Sequence, residues 1–322
     1  MIHWNPQLKL ILADVDETLA DVYTPATPKM AAELASLLED RITLFLVSGG
    51  GLHSIRERIT NLIQPAALRH HILIAHCNGA EVWGFDEQGV PLDKPYYSLY
   101  EERLSPTQKT GLREVVAQLV KEFGFHTHPT MPKKEFLRLT AGDPLQVMMV
   151  DRGPQITFEL VNAYDMSPEQ AALVGKSVPL THGAYDLRIP FIERAEELLR
   201  ERGIPITPRL GGNCAVDLAV EGVSKTTAVR HVLEDPNLLS TLGLDPAHLL
   251  AHPETMEVWG DKFSAVRGGA DRHISEGLPK AVRSLDFRNE DPQEFLPGYN
   301  TVVWDGEGQL HEGALEYMRS RH

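Results

Sequence analysis

Cysteine is nearly missing from this chain: there are two among 322 residues, Cys77 and Cys214, far apart in sequence. That excludes a disulfide framework and a cysteine-based metal site, and it fits a reducing, cytoplasmic setting. No apolar run approaches the length of a membrane span. The opening residues Met1-Ile2-His3-Trp4-Asn5-Pro6 have neither the basic head nor the apolar core of a signal peptide. Positive charge is also short, with 31 Lys and Arg against 45 Asp and Glu and a formal net charge of -14. Such a chain repels nucleic acid phosphates and anionic membrane surfaces. It does not repel a small phosphorylated metabolite at a site where a divalent cation inverts the local field. Internal repeats and low-complexity tracts are absent, and nothing in the pattern speaks to oligomeric state.

What is present is a core-forming chain, 42% hydrophobic, long enough for one large domain or two. Strand-like and helix-like stretches alternate at the start. Leu8–Ala13 reads as a strand, and Thr27-Pro28 opens a helix whose apolar face is Met30, Leu34, Leu37 and Leu38. Ile42–Val47 is a second strand and ends in Ser48-Gly49-Gly50-Gly51; Ile55, Ile59, Leu62 and Ile63 mark another helix before the strand Ile72–Ala75. This alternation predicts a doubly wound parallel sheet with right-handed crossovers. Ligands on such sheets bind beyond the carboxyl ends of the strands.

The middle of the chain changes style. Ser105-Pro106-Thr107-Gln108 is a capping-box pattern, opening a helix that carries Leu112, Val115, Val116, Leu119 and Phe123. Strand candidates follow at Glu135–Thr140, Leu145–Val150 and Gln155–Val161, then a helix over about Pro190–Arg202. Consecutive strands without intervening helices predict an antiparallel α+β unit inserted into the α/β core. From about Gly212 the alternating style returns, with strands at Ala215–Val220, Glu257–Trp259 and Thr301–Trp304. The expected division is a discontinuous core of residues 1–86 and 212–322, with an inserted cap of residues 87–211.

The chemistry-bearing residues sit where these elements end. Asp14 and Asp16 follow the first strand with Val15 between them, so both acids can face one side. Two close acids are costly unless a cation or proton neutralises them; alone, the pair is equally a solvated turn. Asp14 is suited to attack phosphorus as a carboxylate nucleophile, and Asp16 to protonate the leaving oxygen and later activate water. Ser48, with the backbone N–H groups of Gly49 and Gly50, suits a phosphate oxygen. Lys225, opening a helix after Ser224, suits the charge of a transferring phosphoryl group. Asp261, after the Glu257–Trp259 strand, can complete an oxygen site for Mg²⁺ with the Asp14 carboxylate and the Asp16 carbonyl. His126, His128, Lys133, Lys134 and Arg138 crowd one cap segment. They are candidate substrate contacts, though a solvated cationic loop explains them as well.

The order acid pair, hydroxyl, lysine, acid resembles the haloacid dehalogenase superfamily of phosphotransferases. Its four motifs match Asp14-Val15-Asp16-Glu17-Thr18, Ser48, Lys225 and Gly260-Asp261, with Asp271 as a second acid of the fourth. The strand-turn His76-Cys77-Asn78-Gly79-Ala80 is similar to the one preceding the α/β cap in one branch, the Cof-type branch. Within it the nearest resemblance is to eukaryotic-type phosphomannomutases. That likeness rests on Thr24-Pro25-Ala26, on Gly211-Gly212-Asn213 with Asp217, on Gly222-Val223-Ser224-Lys225 and Arg230-His231-Val232, and on Gly260-Asp261-Lys262 with Gly268-Gly269-Ala270-Asp271.

Three positions depart from that pattern. Glu17 replaces the usual Gly of the first motif, and Ala270 replaces an Asn. In the cap, Arg152-Gly153-Pro154-Gln155-Ile156-Thr157-Phe158-Glu159 keeps the start of the mutases' signature, so Arg152 is a candidate substrate contact. Glu159, however, stands where they carry the Arg that holds the non-reacting phosphate, and an acid there repels phosphate. The resemblance therefore implies a Mg²⁺-dependent phosphatase of a small phosphomonoester, a sugar phosphate by class. A hexose phosphomutase is the alternative and a catalytically silent binding protein the third reading. An oxidoreductase is disfavoured because no G-x-G-x-x-G follows the first strand.

Overall fold

The computed structural model describes residues 2–22, 24–178, 180, 186–212 and 214–321. The chain forms two compact units, Met1–Ser98 with Val223–His322, and Leu99–Gly222.

The first unit begins with β1 (Leu10–Ala13), α1 (Pro28–Glu39), β2 (Thr43–Val47), α2 (Leu52–Arg58), β3 (Ile72–His76), β4 (Glu81–Trp83) and β5 (Tyr97–Ser98). Every residue of β1, β2 and β3 is buried, as expected for strands covered on both faces. At the start of α1 the Thr27 hydroxyl accepts the Met30 N–H at 3.1 Å, and Pro28 occupies a position whose N–H no helix would use. Its inward face is Met30, Leu34, Leu37 and Leu38. α2 is shorter than its apolar spacing predicts: it stops at Arg58, and a separate short turn covers Thr60–Leu62.

The second unit contains α3 (Leu99–Arg103), α4 (Pro106–Phe123), β6 (His126–His128), α5 (Lys133–Thr140), β7 (Gln146–Asp151), β8 (Gln155–Glu159), α6 (Pro168–Val174), α7 (Arg188–Glu201), β9 (Ile206–Gly211) and β10 (Ala215–Val220). Its sheet runs β6-β7-β8-β10-β9, antiparallel except for β6 beside β7. The capping box at Ser105 and Gln108 forms as the sequence predicts. Two expectations are corrected here. Glu135–Thr140 is not a strand but most of α5: Phe136 and Thr140 are buried one helical turn apart, while Leu137 and Leu139 are exposed. Ala215–Val220 is a strand, but it pairs with β8 and β9 and not with the core sheet. The units consequently divide at 98/99 and 222/223, not at 86/87 and 211/212.

The chain then returns to the first unit with α8 (Lys225–Glu234), α9 (Pro236–Thr241), α10 (Pro246–Ala251), β11 (Met256–Gly260), α11 (Arg272–Ser275), β12 (Arg283–Asp286), β13 (Thr301–Val303) and α12 (Leu310–Arg319). The eight-stranded sheet runs β13-β12-β11-β1-β2-β3-β4-β5, parallel from β13 to β3, with β4 and β5 added antiparallel. Strand order reverses between β1 and β11, which makes their carboxyl ends the switch point where such sheets bind ligands. Register places Ala13 opposite Trp259, and the Asp14 N–H donates to Trp259 O at 3.0 Å. Among the described residues no helix is long and apolar enough to cross a membrane.

Candidate active site

The switch point collects three buried carboxylates and one buried ammonium. Asp14 leaves the end of β1, Asp261 follows β11, Asp271 precedes α11, and Lys225 is the first residue of α8. Lys225 Nζ donates to Asp14 Oδ1 at 2.7 Å and to Asp271 Oδ1 at 2.8 Å. Asp271 Oδ2 in turn accepts the backbone N–H groups of Asp261 and Lys262, both at 3.0 Å. Gly260 makes this approach possible, since a Cβ there would lie 2.8 Å from the Asp271 side chain.

Burial governs the charges. It is the largest influence on Asp14, with Asp271 adding to it and Lys225 opposing, and the carboxyl is pushed up to about 8. Asp261 is likewise pushed up to about 7, first by burial and then by Asp271, against Lys262 and Arg288. For Asp271 burial works the same way, but Lys225, the Asp261 backbone N–H and the charge of Lys262 outweigh it and hold the carboxyl below its ordinary value. Burial also works against the Lys225 ammonium, yet Asp14 and Asp271 hold it protonated well beyond the usual range.

One carboxylate oxygen from each of Asp14, Asp261 and Asp271 lies within 4.8 Å of the others. Asp261 Oδ1 is buried and has no hydrogen-bond partner. An all-oxygen, strongly anionic donor set with an orphaned buried oxygen fits a hard divalent cation.

The remaining core candidates flank this cluster. Asp16 is two residues past Asp14 but half-buried, and its Oδ1 accepts Arg58 Nη1 at 2.7 Å. Arg58 also donates to the carbonyls of Asp21 and Thr24, tying Asp16 to the loop before α1. Ser48 is buried one residue past β2, the neighbour of β1. Its Oγ accepts the Gly50 N–H at 3.0 Å, and its carbonyl accepts the Asn78 N–H at 2.9 Å, so the Ser48–Gly50 loop is braced by the turn after β3. A Cβ at Gly49 would stand 3.3 Å from the oxygen of that same Asn78 side chain.

The cap candidates do not form one cluster. His126 is exposed on β6 opposite Gln146, the first residue of β7, whereas Arg152 follows the last residue of β7 at its other end. Lys133, Lys134 and Arg138 are exposed on α5, and His128 Nε2 is engaged by Gln146 Oε1 at 2.6 Å. Glu159 ends β8. In the same sheet Gln155 and Thr157 both donate to Asp217 Oδ1, at 2.9 and 2.7 Å. Asn213, part of the resemblance above, lies outside the described residues.

Sequence reasoning missed Arg288. Its Nε donates to Asp261 Oδ2 at 2.9 Å and to Asp261 O at 3.0 Å, and its Nη2 pairs with Glu17. It also missed Arg58, and neither arginine belongs to a recognisable motif.

No protein-family model and no curated protein matches the chain. Solved structures do resemble it. A haloacid dehalogenase-like hydrolase from Bacteroides thetaiotaomicron has a TM-score of 0.57 at 14% identity, covering 98% of this chain and 100% of its own. A protein of Eubacterium rectale gives 0.53 at 16% identity, covering 98% and 100%. TM0651 from Thermotoga maritima gives 0.53 at 11% identity, covering 98% and 97%.

Proposed function

We propose that this chain, which has the fold of the haloacid dehalogenase-like hydrolases, hydrolyses small phosphomonoesters with Mg²⁺ as its cofactor. The observation that carries this reading is the buried set Asp14–Lys225–Asp271–Asp261, where a basic group sits against the acid best placed to attack phosphorus.

Asp14, Asp261 and Asp271 are the side chains that would hold the cation. When bound, it offsets the charge of the carboxylates and of the phosphoryl oxygens. Asp14 attacks phosphorus; the new O–P bond forms as the ester O–P bond breaks, giving an aspartyl-phosphate. Asp16 delivers a proton to the departing oxygen, then takes one from the water that opens the acyl phosphate and regenerates Asp14. To do so it must turn from Arg58 towards the reacting phosphate. Lys225 remains charged throughout and stabilises the equatorial oxygens, with Ser48 and its loop as further donors.

The second unit is assigned substrate choice, with Arg152, His126, Lys133 and Arg138 as candidate contacts. A sugar phosphate is the proposed class, in a cytoplasmic setting consistent with two cysteines that form no disulfide. Glu159, in place of a phosphate-holding Arg, supports hydrolysis over the phosphomutase alternative. A silent binding protein would not need to retain a buried Lys–Asp–Asp set.

The test is phosphate release, with and without Mg²⁺, from a panel of sugar phosphates, nucleotides and phosphoglycerates. Mg²⁺-dependent release is expected. No release from any of them refutes the reading, and interconversion of hexose 1- and 6-phosphates without free phosphate would favour the mutase.

A further inference from the structure

We propose that Arg288 is a positioning residue that presents Asp261 to the divalent cation, and that Glu17 is the counter-anion that keeps its guanidinium in place. The inference rests on the reading of Asp261 as a cation ligand.

Three contacts tie Arg288 to Asp261, and all fall on one side of it. Nε donates to Oδ2 at 2.9 Å and to the backbone carbonyl at 3.0 Å, while Nη2 donates to the same Oδ2. The other oxygen, Oδ1, is left buried and unpartnered. An aspartate's terminal torsion is broad, so an untethered carboxylate would offer either oxygen at many angles. A planar guanidinium fork fixes the carboxylate plane and assigns one oxygen to the protein and one to the cation. Lys262 Nζ, 3.4 Å from Oδ2 and half-exposed on a flexible stem, supplies charge but no such plane.

The segment carrying Arg288 is itself anchored. Asp286 Oδ1 accepts the Arg288 N–H at 3.0 Å, and its Oδ2 accepts the Glu290 N–H at 2.6 Å. Glu290 Oε2 accepts the N–H groups of Phe263 and Ser264, and Glu294 accepts the Ser264 hydroxyl at 2.7 Å. Segment 286–294 therefore grips the loop after Asp261 by its backbone and Asp261 by its side chain.

Glu17 stands in the left-handed region at φ 64°, which costs a residue with a Cβ roughly 1 kcal/mol. Its carboxylate is what that conformation delivers: it pairs with Arg288 Nη2 and lies 3.5 Å from Lys262 Nζ. The departure from Gly in the first motif thus acquires a partner 271 positions away.

The test measures Mn²⁺ binding by electron paramagnetic resonance, without substrate, on wild type, Arg288→Ala, Arg288→Lys and Glu17→Gln, beside thermal unfolding of each. Arg288→Ala is expected to weaken Mn²⁺ binding about 10-fold, the low end of what losing a residue behind a metal ligand costs. Arg288→Lys should recover only a minor part, and Glu17→Gln should weaken binding by less than Arg288→Ala. If Arg288→Ala does not fold, the other two variants carry the test. Equal affinity in all folded variants overturns the inference, as does a lowered melting temperature with Mn²⁺ affinity intact, and so does full recovery by Lys. The two readings fail separately. An active phosphatase whose Mn²⁺ affinity ignores Arg288 overturns this inference alone, and an Arg288-dependent Mn²⁺ site with no phosphate release overturns only the hydrolase reading.

Discussion

Lys225 Nζ lies 2.7 Å from Asp14 Oδ1, and neither side chain is more than 9% exposed. A buried pair of this kind is costly to split, because the survivor keeps its desolvation without its partner. Here the ammonium also serves Asp271, so its removal strands two acids beside a third.

Lys225→Met should therefore destabilise the cation-free protein by about 3 kcal/mol. Added Mg²⁺ should return part of that loss, since it supplies positive charge to the same carboxylates. Thermal melts with and without Mg²⁺ check this. An unchanged melting temperature would show that the pair carries no net energy.

Cation binding should release protons near neutral pH. Burial raises Asp14 to about 8 and Asp261 to about 7 in the cation-free protein, and a cation requires the ionised forms. Affinity should then rise with pH and level off above about 8. The stability of the cation-free protein follows the opposite course. Folded-state values above the unfolded ones mean a stabilising contribution that is full below the unfolded carboxyl value and disappears as pH climbs through about 7 to 8. Calorimetric titration in buffers of different ionisation enthalpy reads the protons directly, and a buffer-independent heat would contradict the proposed linkage.

Asp14→Asn should cut phosphate release by more than about 10⁴-fold, because an amide is a poor nucleophile. Asp16→Asn should lower the rate while leaving Mg²⁺ affinity nearly unchanged, since its side chain is held by Arg58 and is not one of the three carboxylates gathered as cation ligands. Substantial turnover in Asp14→Asn would remove it from the nucleophile's role.

Gly260→Ala is a small change at a crowded place. Its Cβ would stand 2.8 Å from both Cβ and Oδ2 of Asp271, so β11 or the loop must move. A loss of about 1–3 kcal/mol is expected, with weaker Mg²⁺ binding because the Asp271–Asp261 hydrogen bond lies on the same backbone. A neutral effect in denaturant melts and in Mg²⁺ titration would show that the loop relaxes freely.

Much of this site was legible because its signals are local. Asp14 directly follows a four-residue buried strand, and Thr27, Ser105 and Ser224 cap helices within three residues of themselves. The resemblance to the haloacid dehalogenase superfamily, drawn from four short motifs, agrees with the fold. What was misread depends on distant pairing or on short ambiguous runs. Glu135–Thr140 mixes polar and apolar residues closely enough to imitate a strand, whereas its buried residues are Phe136, clustered with Met148 and Val161, and Thr140, one helical turn on. Ala215–Val220 is a strand in any context, and its sheet is chosen by β8 and β9. Arg288 carries no local mark, because its meaning lies in residues 27 and 271 positions away.

The adjacency of β1 and β11 also sets a timetable for synthesis. On the ribosome, β1 can pair with β2 almost at once, but its other edge waits for Met256–Gly260. Throughout that interval the nascent protein presents an open, wholly apolar strand edge, Leu10–Ala13, of the kind that recruits stray β-partners. A chain terminated anywhere before β11 would be a sticky fragment lacking Asp261 and Asp271, so premature stops should yield aggregates and not folded protein.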